Sequence, residues 1–576
     1  MKTAQKLTVA VAGAFMLAAI PVSAQLEAPQ NAASIEAGTP VILQSVILDG
    51  AAPHEVTIQS ETALTIQAGS MEMPTCDRGL LRQARSHFGR NGALTAREYE
   101  MAETAWTYFE RFYQEETGMV NAVGSYPSTT MWDTASYISA LVAAFELCII
   151  DKRTFDARAM KLMNTLRNLS LFQGEAPNKV YNTSTGEKVN YANQPGEVGI
   201  SALDLGRLLV WLRILKERYP HLANSVDNVP MRWNFCNLIG DDGRMFGALR
   251  RDDGTRYVQE GRLGYEEYAA KGFALWGFNV ERAMRPQPLE YRTIYDVKVP
   301  YDGRDPRVFK NQNYVLTEGY ILDGLELGWD MPTDQDGDNM VASNGWRAEF
   351  ANRIYHVQQR RFEQTGIVTA RSEHQVEGSP YFVYDSIFAD GYDWNTLDPK
   401  GEYQPDRAAI ASKAAVGMWA LWETDYTDLL FETVADLSDP ERGFYEGLYE
   451  NGNGYIPLQT ANNNGIILAA LLYKVQGPIL QHLNNNMQVW ETAFAGTDIR
   501  DNKCHPNAMV EIVSCSACQN AVDIAPVIPV EEFRYCRPVM INGEIAATDC
   551  QTEQHVLAAP EPRKVLQSAC VAPEVN

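Results

Sequence analysis

Positive charge is scarce in this sequence. Lys and Arg number 49 against 73 Asp and Glu, giving a formal net charge of −24. Lys2 and Lys6 are the only charged residues among the first 24, so the chain without that segment is more acidic still. Such a surface repels nucleic acid and anionic lipid, and neither is expected as a partner. A neutral or cationic substrate is compatible with it, as is a plain solubility role. After residue 24 no stretch is long and apolar enough to cross a bilayer, so no membrane span is expected in the mature chain. No repeat of fixed period runs through the sequence. Histidine numbers only 8 and forms no cluster.

What is present begins with an export signal. Lys2 and Lys6 form a positive start, Leu7 to Ile20 an apolar core, and Val22-Ser23-Ala24 a small-residue cleavage site. Gln25, not Cys, follows the cut, so no lipid anchor is expected. The protein is expected to be exported, to the periplasm or beyond the cell. Export changes how the 9 cysteines read. Cys504, Cys515, Cys518, Cys536, Cys550 and Cys570 gather near the end of the chain. In an oxidising compartment they read as a disulfide-stapled tail, with connectivity that sequence does not choose. The Cys515–Cys518 spacing leaves zinc or electron transfer as the alternative. Cys148 ends a buried helix, where a free thiol acts as a small apolar residue. The expected organisation is a signal peptide (1–24), a linker with a possible β-hairpin (25–93), a helical domain (94–490) and the cysteine-rich tail (491–576).

Ser125 to Glu146, SYPSTTMWDTASYISALVAAFE, is the stretch around which the helical domain is organised. Ser128, Thr129 and Thr130 can cap a helix by accepting its free N–H groups. From Tyr137 onward the helix is apolar on nearly every side, so it is buried on every side. Its polar start, Trp132 and Asp133, must then open onto a pocket or bury a carboxylate. Asp133 is either a second cap near the positive helix end or a ligand contact. Leu94–Tyr113, with Thr95 as N-cap, Thr154–Asn168 and Asn344–Gln364 are amphipathic. Ser201–Tyr219, Gly264–Arg282, Leu316–Gly328, Asp406–Glu423 and Asn463–Gln476 are dense in apolar residues, and Asp204 and Arg207 are the only early charges of the first. This alternation predicts an inner ring of buried helices wrapped by half-exposed ones; an irregular bundle is the alternative.

The connecting loops, 172–199, 241–264, 285–314 and 366–406, are long, as functional loops often are. They mix Tyr and Trp with Asn, Asp and Glu. Aromatic rings offer platforms for the C–H face of a sugar, and amides and carboxylates can bond its hydroxyls. Glycoside cleavage needs one protonated acid and one ionised carboxylate. Glu266, Glu267, Glu318, Glu373, Asp385 and Glu446 are the candidates in that setting; each alone could equally be a cap or an ion-pair partner. Asp334, Asp336 and Asp338 alternate as calcium ligands can, but the EF-hand spacing is incomplete and a surface turn is expected.

Residues from about Glu98 to about Val475 resemble the bacterial domain DUF3131. The resemblance rests on FERFYQEETGMVNAVGSYPSTTMWDTASYISALVAA, QPGEVGISALDLGRLL, GYEEYAAKGFALWGF, VLTEGYILDG and TARSEHQVEGSPYFVYDSIFADG. That domain is similar in fold to glycoamylase-like (α/α)6 barrels, including those that cut or cyclise β-1,2-glucan. In those relatives Phe-Glu-Tyr and Ser-Glu-Ser mark acidic positions. Here Glu266-Glu267-Tyr268 and Ser372-Glu373-His374 stand in their place.

The expected fold is therefore all-α, an (α/α)6 toroid with long loops at one mouth. The expected activity is glycoside hydrolysis or transglycosylation of a bacterial glucan or exopolysaccharide. Glu267 is expected as general acid and Glu373 as the second carboxylate, with Asp133 contacting substrate or replacing Glu373. Tyr126, Trp132, Tyr381 and Trp394 are expected as sugar platforms, with Glu266, Glu318, Asp385 and Glu446 also lining the site. No cofactor and no metal are assigned. The competing reading is a non-catalytic glycan-binding scaffold on the same barrel.

Overall fold

The computed structural model describes residues 87–285, 288–309, 311–329, 346–480, 489–494 and 503–504, and elsewhere only backbone strands. Among those strands Val41–Val46 pairs antiparallel with His54–Gln59, and Val530–Ile541 with Glu544–Val556. The chain divides into two compact units, Met1–Thr75 and Cys76–Asn576. Most of the expected signal peptide, the Asp334–Asp338 loop, Cys515, Cys518 and Cys570 lie outside the described residues, and Cys536 and Cys550 are described only as backbone, opposite each other in the last strand pair.

The described helices are α1 Ala96–Arg111, α2 Met131–Glu146, α3 Lys152–Asn168, α4 Ala202–Arg218, α5 Ala223–Asp227, α6 Tyr265–Leu275, α7 Pro306–Phe309, α8 Glu318–Leu327, α9 Trp346–Thr365, α10 Ser412–Leu421, α11 Asp425–Val434, α12 Ala461–Gln476 and α13 Val489–Phe494. Short polar side chains start the helices, as the sequence suggests. Thr95 and Glu98 form a capping box on α1. Thr130, Ser201 and Thr460 accept from backbone N–H groups of α2, α4 and α12. Each such cap contributes about 1 kcal/mol.

Burial sorts the helices into two classes. All residues of α8 and α10 are buried, and in α2 only Asp133 escapes. By contrast, α3 buries only Phe155, Ala159, Leu162, Met163 and Leu166, one stripe at helical spacing. The buried class makes a closed cycle of contacts, α2–α4–α6–α8–α10–α12 and back to α2. Outside it α1 packs on α2 and α12, α3 on α2, α5 on α4, α9 on α8, and α11 on α10. Leu205, Leu208, Leu209, Leu212 and Leu215 of α4 are fully enclosed, each stabilising the ring by roughly 1.5–3 kcal/mol. The α4–α6 contact is backbone to backbone. A Cβ on Gly272 would stand 1.9 Å from the Gly206 carbonyl oxygen, so only glycine fits.

The loops between the helices are not wholly irregular. Phe246–Arg251 and Gly254–Gln259 form a hairpin joined by Gly199–Ile200. Leu289–Ile294 pairs with Val297–Asp302. Phe382–Asp385 lies between Glu373–Gln375 and Thr396–Leu397. Alternating Tyr, Phe and Val in these segments suit a half-buried pleated surface. Short strands also lead directly into ring helices: Ser128–Thr129 before α2, Gly199–Ile200 before α4 and Ala409–Ala411 before α10. The loop structure thus gathers at the helix N-termini. Because of it α8 starts at Glu318 and α10 at Ser412, later than the apolar pattern suggests.

The tail expectation also changes at its first cysteine. Cys504 is bonded to Cys236, not to a neighbour in the tail. Cys148 is disulfide-bonded as well, not a free thiol.

Candidate active site

Every ring helix sends a polar side chain from its first turns toward one place. Trp132 and Asp133 come from α2, Asp204 and Arg207 from α4, Tyr265 from α6, Glu318 from α8, Lys413 from α10 and Asn462 from α12. Burying such groups is costly unless they satisfy one another, and the bonds among them explain how they persist.

Glu318 is the hub. It has no exposed surface. Its Oε1 accepts from Trp132 Nε1 at 3.0 Å and from Asn462 Nδ2 at 2.8 Å. Its Oε2 pairs with Lys413 Nζ and takes a longer bond from Ser372 Oγ at 3.4 Å. Burial alone would raise its pKa; Lys413 and Arg207 overcome this and hold it below the usual carboxylate range. Glu318 is a fixed anion with its lone pairs engaged. Arg207 donates to Asn462 Oδ1 at 2.7 Å and lies over the Trp132 ring at 4.7 Å. Trp132 is therefore a clamp on Glu318, not an open sugar platform.

Three acids around this hub keep some exposure. Glu373 accepts from Arg262 Nη1 at 3.2 Å, with 13% of its side chain exposed. Burial raises its pKa; Arg262 opposes the rise and Glu318 adds to it. The enclosed Tyr265 hydroxyl lies against Glu373. Asp133 accepts from Thr130 Oγ1 at 2.7 Å, and burial raises it against the opposing pull of Thr130, Arg207 and Lys413. Asp204 accepts from Ser201 Oγ at 2.8 Å and is pushed up to about 7 by burial, with Glu260 and Asp133 adding to the rise. Glu446 is enclosed, accepting from Thr460 and from the Gln375 N–H at 3.3 Å. Burial pushes it up while Lys413 pulls it down.

The rim is aromatic. Tyr126, Tyr191 and Tyr381 are 42%, 66% and 66% exposed, and the Tyr126 hydroxyl donates to the Tyr191 carbonyl at 3.0 Å. Tyr384 and Tyr265 sandwich the Arg262 guanidinium at 4.9 and 5.1 Å.

The structure thus brings together Asp133, Trp132, Glu318, Glu373 and Glu446, with Tyr126 and Tyr381 on the exposed surface. Four expected residues are placed otherwise. Glu267 is fully enclosed; its Oε2 accepts the Gly264 N–H at 2.6 Å and lies 3.8 Å from Arg347. It caps its own helix, as a carboxylate three residues into a helix commonly does. Burial raises it to about 7. Glu266 is also enclosed and accepts from Gln259 at 3.0 Å. Asp385 is buried against Arg371 at 2.6 Å and takes the Ala409 N–H at 2.8 Å, so it holds loops together. Trp394 lies under Arg361, 4.4 Å from its ring, which leaves that face no room for a sugar.

Lys413, Arg207, Arg262, Asn462, Asp204 and Tyr191 were not identified as site residues from sequence. The available signal was a charged or amide side chain in the first turns of an otherwise apolar helix. Among the described residues, no group of three His, Cys, Asp or Glu is arranged to hold a metal ion, and no helix is long and apolar enough to cross a membrane.

The fold has counterparts among solved structures. A glucoamylase candidate from Bacteroides fragilis is 13% identical with a TM-score of 0.51, over 68% of this chain and 95% of that one. One from Bacteroides caccae is 12% identical with a TM-score of 0.50, over 67% and 94%. The endo-β-1,2-glucanase of Chitinophaga pinensis, solved with sophorotriose and glucose, is 13% identical with a TM-score of 0.48, over 67% and 94%. At such identities the likeness is one of fold. No curated protein matches the sequence. Residues 100–477 match the family described as "Protein of unknown function (DUF3131)". That match spans both the ring helices and the loops carrying the buried carboxylates, and the chain belongs to the DUF3131 family.

Proposed function

We propose that the protein is an exported glycoside hydrolase or transglycosidase of (α/α)6 architecture, acting on a bacterial glucan or exopolysaccharide in the periplasm or outside the cell. The observation that carries the reading is the convergence of Asp133, Glu318 and Glu373 around Lys413 at the N-terminal ends of the ring helices. The shared fold with glucoamylase candidates supports it.

Glu318, held ionised by Lys413 and Arg207, adds to the raised pKa of Glu373. Glu373 retains exposure and a raised pKa, so it can take a proton from water or a hydroxyl. The proton donor to the leaving oxygen comes from the α2–α4 side, where Asp133 stands. Tyr126, Tyr191 and Tyr381 supply sugar platforms at the rim.

One observation favours the second reading, a non-catalytic glycan-binding scaffold: Glu267, the acid expected from the family pattern, faces Arg347 and no solvent. The purified mature protein incubated with a panel of bacterial glucans and exopolysaccharides separates the two. New reducing ends or cyclic products support the enzyme. Binding to a glycan that stays intact supports the scaffold.

A further inference from the structure

Around the candidate site, neighbouring side chains form an unbroken circuit. Asp204 faces Asp133, which faces Glu318, which faces Glu373. From Glu373 the circuit returns through Arg262 and Tyr384 to Tyr191, which faces Asp204 again. Asp204 is thus linked to Glu373 both through Asp133 and Glu318 and through Tyr191, Tyr384 and Arg262.

Asp204 and Asp133 occupy equivalent places, three residues into adjacent ring helices, each bonded to the capping hydroxyl of its own helix. Their surroundings differ in sign. Asp133 is beside Arg207 and Lys413, which favour its ionised form. Asp204 is beside Glu260 and Asp133, with Lys179 opposing them. Glu260 Oε2 accepts the Ala202 N–H at 2.7 Å and the Leu203 N–H at 3.3 Å, at the positive end of α4. Ser201 Oγ bridges the pair, 2.8 Å from Asp204 and 3.3 Å from Glu260. Two carboxylates on one helix end cannot both ionise cheaply. Burial and the neighbouring Glu260 favour the protonated form of Asp204. Environments that split paired carboxylates in this way mark acid and base roles.

We propose that Asp204 is a catalytic residue, the general acid that protonates the leaving glycosidic oxygen, with Glu260 holding the proton on it. The assignment rests on the hydrolase reading above and adds the donor that reading leaves on the α2–α4 side. As the glycosidic C–O bond breaks, its electron pair stays on the bridging oxygen, which takes the Asp204 proton. A water oxygen bonds to the freed carbon and loses its proton to the Glu373 carboxylate. Each turnover consumes one water and transfers one proton from Asp204 to Glu373, and solvent restores both groups.

The test uses the glycan cleaved by the wild-type protein, together with two synthetic glycosides of the same oligosaccharide: one with a methoxide leaving group, one with 2,4-dinitrophenolate. A dinitrophenolate leaves without protonation, so loss of a general acid spares it. Asp204→Asn is expected to lower kcat by about 100-fold or more on the glycan and the methyl glycoside, the usual scale for such a group, and by less than about 10-fold on the dinitrophenyl glycoside. The alkaline limb of kcat/KM is expected to vanish. Glu260→Gln removes the neighbouring negative charge and is expected to move that limb to lower pH; it also provides the reading if Asp204→Asn does not fold. Equal losses on both synthetic substrates, no loss on either, or an alkaline limb unmoved in Glu260→Gln would overturn the assignment while leaving the hydrolase reading intact. A wild-type protein that cleaves no glycan removes that reading and the assignment with it.

Discussion

Arg262 reaches Glu373 at 3.2 Å across the candidate site while its guanidinium lies between the rings of Tyr265 and Tyr384. The stacking fixes the cation, and the cation limits how far burial can raise the carboxylate. Replacing Arg262 with Gln removes the largest pull against burial and Glu318, leaving only Lys413 and Tyr265 to oppose them. The Glu373 pKa then rises further. A base must be ionised to work, so the acidic limb of kcat/KM moves to higher pH. A pH–rate profile of Arg262→Gln on the cleaved glycan checks this.

Lys413 neutralises Glu318 inside the ring, where neither side chain has appreciable exposure. Lys413→Met leaves a buried carboxylate without its cation, which typically costs about 3–5 kcal/mol. A large fall in Tm is expected. Adding Glu318→Gln removes the orphaned charge and restores part of the loss. A double-mutant cycle by denaturant unfolding measures the coupling.

Glu267→Gln is expected to retain glycan cleavage, because the side chain caps α6 and meets no solvent. Its effect is on stability. Burial raises Glu267 to about 7 in the folded protein, well above the ordinary glutamate value of about 4.3. Folded protein therefore holds this proton more tightly than unfolded chain. The associated stability is complete below about pH 4 and is lost as pH rises toward 7. Glutamine has no such dependence, so the Tm difference between variant and wild type grows in the variant's favour between pH 4 and pH 7. Thermal melts across that range test it.

Cys236 and Cys504 are 268 residues apart in sequence. Closing so long a loop restricts the unfolded chain, and a native disulfide typically contributes about 2–4 kcal/mol. Cys504→Ser is expected to lower Tm, and a non-reducing digest of the wild-type protein to release the two cysteine peptides as one species.

Much of the ring was legible because its causes are local. Apolar residues all round a segment mean burial on all sides, and Thr95, Thr130 and Ser201 mark helix starts in ordinary ways. Trp132, Asp133 and Glu318 could be suspected because polar groups at the mouth of a buried helix need partners, and Glu373 because it is an acid in a loop rich in aromatic residues. The misplacements arose where one residue type serves two ends. Glu267 is both a carboxylate beside aromatic residues and a capping group, and only the path of the Gly264 N–H decides between them. Asp385 and Trp394 lie in an aromatic loop, but Asp385 pairs with Arg371 at the far start of that loop and Trp394 with Arg361 of α9. Lys413 and Asn462 read as ordinary helix-start residues until the ring closes and brings them to Glu318. Cys236 could not be matched to Cys504 because only the folded chain makes them neighbours.

The central claim is that the acids gathered around Lys413, Glu373 foremost, cleave a glycan. The most direct test compares wild type with Glu373→Gln on the panel glycans, following reducing ends by time course and fold by circular dichroism. The expected result is cleavage of at least one glycan by the wild type and a loss of about 100-fold or more in the variant, with the fold unchanged. Equal cleavage by both proteins, or none by either, would contradict the account.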